Sequence, residues 1–317
     1  MSIGLLGFQT TVAAPVTLAD IGVHSGTPVT LSFLPADAGH GVVFNRIHAD
    51  GEVTELRAVS SQVGNTDLCT VLGFSPAQSV ATIEHVMAAI YALGIDNVLI
   101  EVDNAEMPIM DGSSAAFIEA IEQVGIMNLG VKRRYIRVIK PVRIEAGASW
   151  AEFRPYDGTR FEVEIDFDSP LIGRQSWQGD LTASTFKREL SRARTFGFMR
   201  DVERLWAAGY ALGSSLENSV VISDDDTVIN MEGLRYPDEF VRHKALDAVG
   251  DLALAGAQFI GAYRSYRGGH KLNANALRAL LEDRDAYEVV EAPARSQQAR
   301  AREFVAVSVP GFAPWFA

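Results

Sequence analysis

The sequence contains one cysteine, Cys69, in 317 residues. No internal disulfide can form, and a reducing compartment, the cytoplasm, is expected. Basic charge is also scarce: 28 Lys and Arg against 40 Asp and Glu give a formal charge of −12. That balance argues against a nucleic-acid or anionic-membrane binder, because both need a basic footprint. No apolar run reaches the ~20 residues that a membrane-spanning helix requires, so no stable membrane insertion is expected. The opening MSIGLLGF has no basic stretch ahead of an apolar segment and does not read as a secretory signal. Neither GxGxxG nor GxxxxGK followed by Ser or Thr occurs, which excludes nucleotide loops of those types. No internal sequence repeat is evident. With 48% hydrophobic and 21% charged residues, the composition is that of a soluble globular protein.

The segments VTLADIGVHSG, TPVTLSFLPA and GVVFNRI place β-branched and aromatic residues between turn-forming ones and read as short strands. Ile83, Val86, Met87 and Ile90 then form an apolar stripe that predicts a helix from about Ser79 to Leu93. Ser79 or Thr82 caps it and Gly94 closes it. DNVLIEVD reads as a strand. DGSSAAFIEAIEQVG reads as a second helix capped by Asp111 or Ser113 and ending near Gly125. Lys132 to Arg143 (KRRYIRVIKPVR) carries six cations and no acid. A phosphate site is one reading, and a strand with a wet cationic face is the preferred one. Phe161, Val163, Ile165 and Phe167 alternate with Glu162, Glu164 and Asp166, the period of a half-buried strand. A long helix is expected from Asp238 to about Ala257. Strands followed by helices in each half predict an α+β fold rather than an alternating parallel one. The apolar segment Pro310 to Ala317 is assigned no role.

Three places carry possible chemistry. On the long helix, Val241, Ala245, Ala248, Leu252, Ala255 and Phe259 form one apolar stripe. His243, Asp247 and Asp251 stack at i, i+4 and i+8 on another line. This line is either a solvated polar face or a metal-ligand pair with a supporting acid, and the solvating charges usual on a wet face are few. TIEHVMAA places Glu84 beside His85, a weak signal by itself, although catalytic zinc sites do pair a ligand with a carboxylate base. In RSYRGGHKLNAN, His270 sits in a Gly-rich loop where it could exchange protons near neutral pH. His24, in GVHSG, is the one serious rival as a metal ligand.

Taken in order, the strings GVHSG, TIEHVMAA, GIDNVLIEV, EMPIMDGSSAAF, SRARTFGF, EFVRHKALDAVGDL and GGHKLN cover nearly the whole chain. On these motifs the chain resembles the UDP-3-O-acyl-N-acetylglucosamine deacetylases, zinc amidases that commit Gram-negative bacteria to lipid A synthesis. The resemblance implies that His85, His243 and Asp247 bind Zn²⁺, with Glu84 as general base. It implies that His270 acts electrostatically or as general acid, supported by Asp251, and that Thr195 helps to stabilise the oxyanion. Lys244, Phe196 and Phe198 are implied in the substrate site. Cys69 is implied near the metal without binding it. Asp166 and Phe167 are implied at the uridine end, and Arg267 on the phosphate side. Ser149 stands where family members can use a lysine near the nucleotide, so the pyrophosphate contact is expected to come from elsewhere.

The implied fold is two similar α+β domains, residues 1–127 and 132–303, with the active site between them. An insert near residues 197–231, containing LWAAGYALGSS, would form an apolar passage for the acyl chain, the alternative being an ordinary surface excursion. The implied partner is a small molecule, the acylated UDP-sugar, acted on by a cytoplasmic monomer. A zinc amidohydrolase acting on another N-acyl sugar nucleotide is the rival enzyme. A non-catalytic binder would need a broken site, yet every metal and base position is filled.

Overall fold

The computed structural model describes residues 7–292. Residues 1–6 of the expected first domain, 293–303 of the expected second and the segment Pro310 to Ala317 lie outside the described residues. Strands β1 (Phe8–Val12), β2 (Val16–Ile21), β3 (Pro28–Pro35), β4 (Val42–Ile47) and β5 (Val53–Arg57) precede helix α1 (Glu84–Leu93). Strand β6 (Val98–Val102) and helix α2 (Ala115–Val124) follow. Strand β7 (Ile126–Lys132) pairs antiparallel with β1 and leads into the second half. There the chain runs through β8 (Arg134–Val138), β9 (Val142–Ala146), β10 (Ser149–Arg154), β11 (Thr159–Asp166), β12 (Arg174–Asp180) and α3 (Ala183–Glu189). It continues through β13 (Phe196–Phe198), α4 (Met199–Ala207), β14 (Val220–Ile222), α5 (Glu239–Ala253), β15 (Gln258–Tyr266), α6 (His270–Glu282) and β16 (Tyr287–Glu291). The fold is α+β, as expected.

The two halves repeat one topology. The first sheet has the order β2-β3-β6-β4-β5, and the second contains β9-β10-β15-β11-β12. In each, the third and fourth strands of that order are parallel and the other neighbours antiparallel. The second sheet adds β8 and β16 beyond this core. Helices α1 and α5 occupy the same place in the repeat, each just before the central strand. Period-two patterning builds the sheets: along β11, Phe161, Val163 and Ile165 are buried between half-buried polar residues. Helices α5 and α6 lie on the second sheet, α2 lies on the first, and α1 packs against α5. One apolar core therefore runs from Val29 and Phe33 through both central helices to Phe161 and Ile165.

Several local expectations shift. The first long helix starts at Glu84, not Ser79, because Thr82 is held in the left-handed region at φ 61° and interrupts any earlier turn. Ser114, rather than Asp111 or Ser113, precedes α2, although Asp111 accepts bonds from both the N–H and the hydroxyl of Ser113. The long helix ends at Ala253, short of Ala257. The cationic run is not wholly a wet face. Arg133 is fully buried, donates to Asp96 (Nε to Oδ1, 2.8 Å) and also to the Gly94 carbonyl at the end of α1. There its charge meets the negative end of the helix dipole. It ties the start of the second half to the first.

Helix α1 is buried along its whole length because α5 lies directly on it. Gly250 makes that approach possible: a Cβ there would stand 2.0 Å from the Glu84 carbonyl oxygen, which belongs to backbone and cannot swing aside. Gly250→Ala is therefore expected to push the helices apart and cost about 1–3 kcal/mol. The urea unfolding midpoint should fall with an unchanged slope.

Candidate metal centre and active site

The meeting of α1 and α5 gathers the polar residues of both. His85 comes from the first turn of α1, and His243 and Asp247 lie one turn apart on α5. All three are buried, and their ligand atoms lie within 4.8 Å of one another. His243 Nδ1 donates to the Ala193 carbonyl at 3.0 Å, which leaves Nε2 as an unprotonated acceptor. That Nε2 lies 3.3 Å from Asp247 Oδ1, and His85 Nε2 lies 3.7 Å from the same oxygen. Burial and the neighbouring His243 push His85 down to about 3, and burial also lowers His243, so both rings are neutral imidazoles.

Asp247 Oδ1 is buried and has no hydrogen-bond partner. Burial would raise its carboxyl, but His243 and Lys244 outweigh that and hold it well below the usual carboxylate range. An ionised, buried oxygen with no donor, beside the bare Nε2 of His243, is unfavourable unless a cation sits there. The donor set, two neutral imidazoles and one carboxylate, is one that binds divalent metal ions. The residues fit a metal.

Glu84 and His270 flank this cluster. Each is the first residue of a helix, Glu84 of α1 and His270 of α6, so His270 is not a loop residue. The helix dipole favours the Glu84 carboxylate and opposes a charge on His270. Burial nevertheless raises Glu84 to about 7, partly offset by His270. For His270, burial is outweighed by Asp251 and Glu84, and its pKa rises to about 9. Asp251 Oδ2 lies 3.0 Å from His270 Nδ1 and accepts from Asn273 Nδ2 at 2.8 Å, while Oδ1 accepts from the Thr70 hydroxyl at 2.5 Å. His270 Nε2 is thereby directed toward Glu84 Oε1, 3.9 Å away.

Glu84, His270 and the His85, His243, Asp247 cluster line a cavity of about 400 Å³. Its polar end holds Glu84, His85, Thr195, His243, Lys244, Asp247 and His270. Its apolar arm is built by Met199, Val202, Leu205, Trp206, Leu216 and Val221 of the 197–231 segment. That segment is a βαβ unit, with β13 and β14 parallel, and it lines the cavity as well. A buried ion pair anchors its root: Arg194 Nε donates to Glu239 Oε1 at 2.9 Å, fixing Thr195 beside the start of α5.

Residues 9–282 match the family described as UDP-3-O-acyl N-acetylglycosamine deacetylase. The chain belongs to this family. It is also similar to the UDP-3-O-acyl-N-acetylglucosamine deacetylases of Brucella ovis and Brucella suis biovar 1, each 59% identical over 285 residues, 90% of this chain and 99% of the relative. The Brucella melitensis biotype 2 protein of the same name is 58% identical over the same length and coverage.

Of the residues that the resemblance to these deacetylases singled out, most converge. Phe196 and Phe198 line the cavity; Phe167 does not, but packs behind them with its ring 5.8 Å from Phe196. Lys244 reaches Asp247 Oδ2 at 2.9 Å and lies over the Phe196 ring. Cys69 lines the cavity and is not in the ligand cluster. Asp166 and Arg267 stand apart from the cavity wall. Asp166 accepts from the Tyr266 hydroxyl at 2.6 Å, and Arg267 is exposed with φ 51°. His24 also lines the cavity but does not join the ligand cluster; its Nδ1 accepts from the Ala211 N–H.

Sequence reasoning missed Thr70, Asn273 and the role of Gly250. Asn273 alone had a local signal, lying three residues after His270 and so on the same helix face. Burial, reinforced by Glu84, pushes the Cys69 thiol up to about 12. At pH 8 the folded protein is expected to react with Ellman's reagent far more slowly than the urea-unfolded chain, and the single cysteine makes the absorbance trace unambiguous.

Proposed function

We propose that this chain is a zinc-dependent amidase that hydrolyses the 2-acetamide of UDP-3-O-(3-hydroxyacyl)-N-acetylglucosamine. The products are UDP-3-O-acyl-glucosamine and acetate, and the reaction is the committed step of lipid A biosynthesis. The observation that carries this reading is a buried His–His–Asp set with an unpartnered carboxylate oxygen, flanked by Glu84 and His270, at the polar end of a cavity with an apolar arm. The names of the Brucella relatives support the substrate. The same reading assigns residues 1–127 and 132–303 to two domains, with 197–231 as the insert. It describes a cytoplasmic monomer, in keeping with the single cysteine. Among the described residues, no helix is long and apolar enough to cross a membrane.

His85, His243 and Asp247 would hold the zinc. When bound, the ion supplies Lewis-acid polarisation of the amide carbonyl and brings the pKa of water toward ~7. Glu84 takes the proton from the attacking water as oxygen adds to the carbonyl carbon. Its pKa near 7 suits a group that must accept and then release a proton. Thr195, on the cavity wall, stabilises the oxyanion, and His270, held cationic by Asp251, adds positive charge. The C–N bond then breaks, and the nitrogen receives a proton from His270 or from Glu84. Lys244, Phe196 and Phe198 hold the sugar. Phe167 and Asp166 serve the uridine end, Arg267 serves the phosphates, and Cys69 forms part of the wall without binding metal.

Acetate release is expected to vanish on chelation and return with zinc. Glu84→Ala should lower turnover by about 10²–10⁴-fold while metal content, read by mass spectrometry, is retained. His243→Ala should lose metal as well as turnover. A Glu84→Ala enzyme of full rate would remove the base assignment. Each buried CH₂ contributes about 0.8 kcal/mol, so UDP-N-acetylglucosamine, lacking the acyl chain, should react far more poorly. Equal rates on the two substrates would exclude the apolar arm as the acyl site.

A further inference from the structure

His24 is left over by the metal site, yet its loop makes a second connection between the halves. Residues 22–26, GVHSG, follow β2 in the first half. Residues 211–213 lie between α4 and β14 in the second. The Leu212 N–H donates to the His24 carbonyl at 3.1 Å, and the Gly213 N–H donates to the Val23 carbonyl at 3.0 Å. The His24 side chain completes the set, with Nδ1 accepting from the Ala211 N–H at 3.4 Å. Its ring meets Tyr210 edge-on at 5.4 Å.

Glycines are required where the two loops touch. A Cβ on Gly213 would lie 2.3 Å from the Gly22 carbonyl oxygen, and one on Gly26 would lie 3.2 Å from Leu212 backbone. From below, Glu106 holds the first loop rigid: its carboxylate accepts from the N–H groups of His24 at 2.8 Å and Ser25 at 2.9 Å. The inserted segment needs such an anchor, because α4 buries none of its own residues, and Trp206 and Leu212 are more than half exposed. Asn218, just before β14, rests its carbonyl against Gly112 of the first half, and the His24 loop is the contact that reaches the stretch nearer α4.

We infer that His24 is a positioning residue whose bond to Ala211 clamps the inserted segment against the first half and closes the apolar arm around the substrate's acyl chain. The inference rests on the function proposed above. The clamp acts on acyl-chain binding and leaves proton transfer at Glu84 untouched. It accounts for a histidine on the cavity wall that neither joins the ligand cluster nor reaches the base.

Three variants test it. His24→Phe keeps a ring and removes the acceptor. His24→Asn restores an acceptor near the Nδ1 position. Gly213→Ala forces the loops apart without altering a cavity-lining residue. In His24→Phe and Gly213→Ala, KM for the acylated substrate is expected to rise about tenfold with kcat within about twofold, and His24→Asn is expected to recover most of the loss. Hydrogen exchange at the amides of Leu212 and Gly213 should quicken in the first two variants and stay slow in the third. This readout needs no substrate, so it tests the clamp even if wild-type protein released no acetate, an outcome that would sink the catalytic reading alone. Unchanged exchange in folded His24→Phe would show that the His24 side chain is not the clamp and would overturn the inference. Faster exchange with an unchanged KM would show that the clamp does not serve the acyl chain. If Gly213→Ala failed to fold, the two His24 variants would still decide between these outcomes.

Discussion

Everything at the site depends on how closely two helices approach. Where α5 crosses α1, the absence of a side chain at Gly250 lets its backbone rest on the Glu84 carbonyl. That contact brings His85 within reach of His243 and Asp247, and His270 within reach of Glu84. It also buries six ionisable groups, Glu84, His85, His243, Asp247, Asp251 and His270, that would otherwise be solvated. Such a cluster is expensive unless its charges are matched. Asp251 is matched by His270, Asn273 and Thr70. Asp247 is matched on one oxygen by Lys244 and left bare on the other. The imbalance in the packing is the feature that calls for a cation.

The duplicated topology explains why the site lies where it does. Two copies of one α+β unit meet helix to helix, and the equivalent helices α1 and α5 become neighbours at the centre of a single core. One contributes Glu84 and His85, and the other contributes His243, Asp247 and Asp251, whose carboxylate bonds His270. Neither half holds the cluster alone. Secondary ties keep the halves in register: Arg133 on Asp96 and the end of α1, and the loop contact at Gly22 and Gly213. The inserted βαβ unit then adds the apolar arm, with its root fixed by Arg194 and Glu239.

Much of this was legible in the residues. The alternation along β11, the stripe on α5 and the turn signals around β2 to β4 gave element types because burial on one face imposes a period of two or about 3.6. The line His243, Asp247, Asp251 was visible for the same reason, but periodicity alone could not tell a wet face from a buried one. Solvent exposure of a helix face depends on what lies against it. The motif resemblance resolved that question by naming roles. The start of α1 was misplaced because Thr82 adopts a left-handed conformation, which no propensity signals. Arg133 was misread because its partner, Asp96, belongs to the other half of the chain.

By itself, the sequence determined the α+β class, the acidic and cysteine-poor character, and the family-specific strings that carry Glu84, His85, His243, Asp247 and His270. These follow from composition, local periodicity and short motifs, which need no distant contact. Only the tertiary structure decided that the halves share one topology, for which no sequence repeat was evident. It alone showed that Thr70 and Asn273 satisfy Asp251, that one oxygen of Asp247 stays unpartnered, and that His24 faces Ala211 rather than the ligand cluster. Two of these contacts join residues far apart in the chain, Thr70 and Asp251 by 181 positions and His24 and Ala211 by 187. Hydrogen-bond satisfaction and burial are properties of the packed molecule, which local pattern does not encode.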